Sequence, residues 1–420
     1  MTMMPYQVIL FLLLVVGCEN NNPAEPEKSN EIKADASTIN LAVDEQIIRG
    51  FGAANIVGWR PDMTNSEIEK AFGAGEGQLG FTILRLKIHP DPSQWQQSVS
   101  AARKAYNMGV KIIAAPWNAP DDMLILGTEK DTVAADKYDE YAAHLESFRD
   151  YMSDNGVPIY AISIQNEPDY ANTWTGWSPE GMLTFMKNHA DVIDTRIMAP
   201  ESFQFRRNMS DPILNDPQAV GNIDIVGGHI YGGGLEPYPL AEEKGKEVWM
   251  TEHYTTSDRS GNLWPDALEV GHEIHQVMRA NMNAYIWWYI VRYYGPIGDG
   301  EENRTKGEIT KRGYVMSHYS RFVRPGYHRL AADENPKGEI YITAYQGDDK
   351  VVVVAVNMGS YDREQQFVLE NRDRTIISMT PYVTSETQSM AKGEPLTVSD
   401  EYGTFTYEIP TNSIVTFVEE

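Results

Sequence analysis

Cysteine is almost absent: one residue, Cys18, in a chain of 420. That excludes an intramolecular disulfide and a zinc–thiolate centre, so packing alone must hold the fold. Positive charge is also scarce. Lys and Arg number 35 against 60 Asp and Glu, a formal charge of −25, which repels a phosphate backbone and an anionic bilayer surface alike. Nucleic acid is therefore not an expected partner, and the acidic residues, dispersed over many short segments, read as a solvated surface. The apolar stretch at residues 8–16 falls well short of the ~20 residues a membrane-spanning helix requires.

That stretch reads instead as the core of a signal peptide, although no Lys or Arg precedes it. Directly behind it, Val15-Val16-Gly17-Cys18 resembles the lipobox of bacterial lipoproteins, which makes Cys18 the expected lipidated N-terminus. The alternative is a chance cysteine in an ordinary signal peptide. Residues 19–37, rich in Asn, Pro, Glu, Lys and Ser, hold too little apolar surface to fold and are expected to form a tether. Export is thus expected, with a lipid anchor to the cell envelope, the outer-membrane surface being one candidate destination. The lipid is the only membrane contact expected, and the chain is expected to act as a monomer.

From residue 48 to 323 short β-rich runs alternate with amphipathic stretches. Strands are predicted at 48–52, 81–87, 111–115, 159–165, 196–199, 223–229, 247–251 and 284–289, with helices such as 93–107 and 137–152 between them. Eight such units predict a (β/α)8 TIM barrel. Residues 324–420 lack helical periodicity and show strands separated by Gly, Asp and Asn turns, which predicts an appended β-sandwich. Residues 38–47 are strand-like and are expected to pair with that second domain.

Catalytic groups of such a barrel sit just behind its strands, and the residues there are polar and aromatic: Trp59, Trp117, Asn166, Glu167, His229, Tyr231, Glu252, Tyr254, Trp288, Arg292 and Tyr294. Rings suit the C–H faces of sugars, while their hydroxyls seek polar partners. Glu167, in Gln165-Asn166-Glu167-Pro168, and Glu252, in Thr251-Glu252-His253, each follow a buried run. Strands four and seven face one another across a barrel, so the two carboxyls can flank one glycosidic bond. Cleavage with retention needs such a pair about 5–5.5 Å apart, one protonated and one ionised. The alternative for each glutamate is a structural ion pair, with Arg85 as a candidate partner. No cofactor and no metal are expected: the histidines of Gly271-His-Glu-Ile-His275 are three apart rather than the four of a zinc-protease helix. Trp174 and Trp177 are either a sugar platform or core.

A more specific signal lies in Arg49-Gly-Phe-Gly-Ala53, Ala115-Pro-Trp-Asn-Ala-Pro120, Gly228-His-Ile-Tyr-Gly232, Trp287-Trp-Tyr-Ile-Val-Arg-Tyr-Tyr-Gly-Pro296 and Lys311-Arg-Gly-Tyr-Val-Met316. Together these resemble glycoside hydrolase family 30, and within it the bacterial glucuronoxylan endo-β-1,4-xylanases, over residues 38–420. The resemblance implies Glu167 as acid/base, Glu252 as nucleophile and Asn166 as partner of the sugar 2-hydroxyl, with Tyr231 and His229 orienting the nucleophile. It further implies that Arg292 and Tyr294, with Tyr254 and Ser257 nearby, clamp the uronic acid substituent of glucuronoxylan. For Arg292 the alternative is a salt bridge to Asp299, Glu301 or Glu302. Related activities, a xylobiohydrolase, a xylanase that does not depend on the uronate or a β-1,6-glucanase, and a non-catalytic surface glycan-binding lipoprotein are the competing readings.

Overall fold

The computed structural model describes residues 31–126, 131–170, 173–254, 260–301, 306–347 and 350–420; Cys18, the signal segment, most of the tether and Ser257 lie outside them. Eight parallel strands close into a barrel: Gly50–Ala54, Ile83–Ile88, Lys111–Pro116, Ala161–Ser163, Arg196–Ser202, Ile225–His229, Glu247–His253 and Ala284–Tyr289. The first pairs with the eighth, Gly50 opposite Ala284, which completes the ring. Side chains that alternate along these strands explain the unbroken apolar runs. Ile83, Ile113, Ala161, Met198, Ile225, Trp249, Ala284 and Ile286 form one buried cluster inside the barrel. Their neighbours Leu84, Ile112, Ile162, Ile197, Val226, Val248 and Tyr285 belong to the larger core shared with the helices. A parallel strand buried on both faces has no polar side to display.

The rest of the chain builds a single ten-stranded sheet among the described residues, curled into the β-sandwich side domain. Ser37–Ile47 takes part in it, antiparallel to His328–Ala332 and parallel to Arg363–Glu370. Its strand Lys350–Asn357 is apolar from Val351 to Val356 because both faces are covered: Val351, Val353 and Ala355 lie in the side domain's own core. Val352, Val354 and Val356 join the barrel's core.

The helices Trp264–Arg279 and Lys311–Ser320 sit between barrel and sheet. At that junction His318 is wholly buried, with Nδ1 2.8 Å from the Thr416 hydroxyl and Nε2 2.8 Å from the Thr384 hydroxyl. Thr416 donates its own proton to the His318 carbonyl, so its oxygen is left to accept from Nδ1–H, and Nε2 accepts from Thr384. The imidazole is therefore neutral with its proton on Nδ1, and burial holds its pKa down at about 3.

Candidate active site

The barrel's C-terminal mouth is organised around one buried cation. Arg85, on the second strand, has no exposed surface. It donates to Glu252 Oε2 at 2.7 Å and to Asn166 Oδ1 at 2.7 Å, lies 3.0 Å from Glu201 Oε1, and packs 4.6 Å from the ring centroid of Trp117. A guanidinium only donates, so the Asn166 oxygen must face it and the amide nitrogen faces away. That Nδ2 is buried with no hydrogen-bond partner, a donor held ready for a ligand. Glu252 accepts on both oxygens, from Arg85 at Oε2 and from the Tyr231 hydroxyl at Oε1 at 2.9 Å.

Glu167 is placed by its backbone. The fourth strand's ladder stops at Ser163, two residues before the end of the predicted run. Gln165 then turns its amide onto the carbonyls of Pro116, Trp117 and Asn166. The Glu167 N–H donates to the Glu201 carbonyl at 3.0 Å with φ at 45°, the left-handed region that a non-glycine residue occupies at some cost. Its Oε1 meets His229 Nδ1 at 2.8 Å. His229, expected beside the nucleophile, is thus the partner of Glu167; its other nitrogen lies 3.6 Å from Glu201 Oε1. It is wholly buried, so it supports the groove without forming its wall.

Charge counting assigns the proton. Burial opposes protonation of His229, but the Glu252 charge and the contacts with Glu167 and Glu201 outweigh it and push the imidazole up to about 9. Burial alone would raise Glu201; Arg85 and His229 hold it down at about 2. Two cations, Arg85 and His229, therefore offset two anions, Glu201 and Glu252. A third carboxylate would be uncompensated in a dry site. Burial accordingly raises the Glu167 pKa, helped by Glu252 and opposed by His229 and Arg85. Glu167, His229 and Glu252 each place an oxygen or nitrogen within 4.8 Å of the other two.

Two groups of aromatic rings lie behind the barrel strands near these carboxyls. Trp59, Trp117 and Trp288 pack with centroids 5.3–6.3 Å apart, and the Lys87 ammonium lies 4.2 Å from the Trp59 ring. A second group forms a ladder from loops four to eight: Tyr170 on Phe203, Phe203 on Tyr231, Tyr231 against Tyr254, and Tyr254 stacked on Tyr294 at 5.3 Å. Trp177 is core, packed on Tyr138, Tyr141 and Phe185, and is no platform. The Arg292 guanidinium rests 4.5 Å from the Tyr293 ring and 5.7 Å from that of Tyr294. It is ion-paired with Asp299 and with Glu301. Sequence reading gave Arg85 only as a candidate ion-pair partner of a glutamate and assigned no role to Glu201 behind the fifth strand. The available signal was a charged residue inside the buried run Ile83–Ile88, which demands a buried partner.

Two carboxyls close together, one of them with its pKa raised by burial, among aromatic rings at the mouth of an eightfold barrel, are the equipment of a glycoside hydrolase. Comparisons agree. Residues 91–304 match the family model described as glycosyl hydrolase family 59. The chain is 44% identical to glucuronoxylanase XynC of Bacillus subtilis (strain 168), over 94% of each chain. Among solved structures, a GH30 endoxylanase from Clostridium papyrosolvens C71 aligns with a TM-score of 0.84 at 40% identity, covering 92% of this chain and all of that one. A glycoside hydrolase family 30 subfamily 8 xylanase from Clostridium acetobutylicum aligns at 0.83 and 34% over the same shares. The family 59 match is confined to the barrel region, whereas these likenesses extend through the side domain. The chain belongs to glycoside hydrolase family 30.

Proposed function

We propose that the protein is a retaining endo-β-1,4-xylanase that hydrolyses glucuronoxylan and reads its (methyl)glucuronic acid substituent through Arg292 and Tyr294. The observation that carries retention is the approach of Glu167 and Glu252, with an oxygen of each within 4.8 Å. Retaining pairs stand about 5–5.5 Å apart and inverting pairs about 6.5–9.5 Å, the latter leaving room for a water. The substrate class rests on the relatives named glucuronoxylanase and endoxylanase.

In this reading Glu252, oriented by Arg85 and Tyr231, attacks the anomeric carbon while Glu167 delivers its proton to the leaving oxygen. Asn166 Nδ2 donates to the sugar 2-hydroxyl, a bond that strengthens as oxocarbenium character develops. Esterification of Glu252 removes its negative charge and with it one cause of the raised Glu167 pKa, so Glu167 can then take a proton from the incoming water. Product profiling on glucuronoxylan, unsubstituted xylan and arabinoxylan tests the substrate claim. Products that each carry one uronate at a fixed position support it, and equal cleavage of all three polymers sinks it.

We further propose export with lipidation of Cys18, supported by Val15-Val16-Gly17-Cys18. Fractionation of the wild type against Cys18→Ala checks this: the variant leaves the membrane fraction, and an unchanged distribution contradicts the anchor.

A further inference from the structure

Arg292 already holds two carboxylates on one nitrogen. Its Nη1 donates to Asp299 Oδ2 at 3.0 Å and to Glu301 Oε2, so a guanidinium proposed to receive a sugar carboxylate is found between two protein carboxylates. The two are not equivalent. The Asp299 side chain is 13% exposed, and its Oδ1 also accepts the Glu301 N–H at 2.9 Å, which makes it a fixed part of the loop. The Glu301 side chain is 52% exposed, and its second oxygen lies 3.1 Å from Arg60 Nη1 in the loop after the first strand. It can leave Arg292 and still keep a cationic partner.

We propose that Glu301 is a built-in competitor for the uronate: its carboxylate occupies Arg292 in the free enzyme and yields it, withdrawing onto Arg60, when a uronic acid substituent binds. The inference rests on the reading of Arg292 as the uronate clamp. It adds that this chain reduces its own preference for substituted xylan with an acidic side chain of the same charge and functional group as the ligand. Exchange of one carboxylate for another leaves the charge beside Arg292 unchanged, while Asp299 keeps the fork oriented. A neutral xylose unit at the same place offers no group to displace Glu301, so the competitor acts only against acidic substituents. Glu301 is a specificity residue in this account and touches no reacting atom.

The experiment compares kcat/KM on glucuronoxylan and on unsubstituted xylan for the wild type, Glu301→Gln, Arg292→Ala and the double variant. The ratio of the two values rises roughly two- to fivefold in Glu301→Gln, the range expected for release of one partly exposed ion pair, with the gain in KM rather than kcat. In the Arg292→Ala background the same substitution leaves the ratio unchanged, because there is nothing left to compete for. A lowered ratio in Arg292→Ala together with an unchanged or lowered ratio in Glu301→Gln overturns the competitor and leaves the clamp standing. A wild-type ratio in Arg292→Ala overturns the clamp and the competitor with it. A Glu301→Gln gain that persists in the double variant also overturns the competitor, since the effect would not pass through Arg292.

Discussion

His229 sets the pH range over which Glu167 keeps its proton. Its bond and its positive charge both favour ionised Glu167, against burial and the Glu252 charge. Replacing it by Gln removes the charge and leaves the raising causes unopposed at that position. The alkaline limb of kcat/KM, which reports the acid of the free enzyme, should therefore move to higher pH in His229→Gln, with lower absolute activity. A pH–rate profile checks this, and a limb that stays or moves to lower pH contradicts the assignment. Arg85 acts on stability as much as on chemistry. Arg85→Met strands Glu201 and Glu252 in a buried site, which should cost about 3–5 kcal/mol, read as a lower midpoint in denaturant unfolding, together with loss of activity.

At the scale of elements, the first turn of Lys311–Ser320 ties together the loops that follow the seventh and eighth strands. Thr310 donates to the Gly295 carbonyl at 2.8 Å, the Arg312 N–H to the Gly261 carbonyl at 2.9 Å, and the buried Arg312 guanidinium to the Tyr294 carbonyl. Gly313 is required here because a Cβ would strike the Pro296 carbonyl and Ile309. Gly313→Ala should push the segment that carries Tyr294 out of its stack on Tyr254. The expected result is a cost on the order of 1–3 kcal/mol and a raised KM for xylan, checked by unfolding and steady-state kinetics; wild-type values in both would contradict it.

Elements also show what a sequence can and cannot display. Eight apolar runs announce a barrel because a strand covered on both faces must be apolar, and Glu167 and Glu252 stand out because each follows such a run. The early end of the fourth strand leaves no pattern: it depends on Gln165 gathering carbonyls from another strand. The partner of His229 is hidden for the same reason, being fixed by how Glu201 on the neighbouring fifth strand and Glu167 behind the fourth close around it. The Trp59, Trp117 and Trp288 group was legible from its positions behind the strands. For Arg292 the sequence supplied both the clamp and the salt bridge, and only geometry shows Asp299 and Glu301 sharing one guanidinium.

For the whole molecule, two buried imidazoles link stability to pH. His318, between barrel and sheet, and His275, against Tyr341 of the sheet, are both held near 3 by burial, against about 6.5 in an unfolded chain. Between those values the unfolded state binds more protons, so stability rises with pH across the window and is lost as pH falls from about 6.5 towards 3. His318→Gln should flatten that dependence in unfolding experiments at a series of pH values, whereas an unchanged slope would show that His318 does not carry it.

The central claim, that Glu167 and Glu252 act across one bond as acid and nucleophile, is tested most directly by the anomeric configuration of the first product, followed by NMR during hydrolysis of a β-xylan oligosaccharide. The account predicts that the β-anomer appears first and the α-anomer grows in only by mutarotation. Initial release of the α-anomer would contradict it.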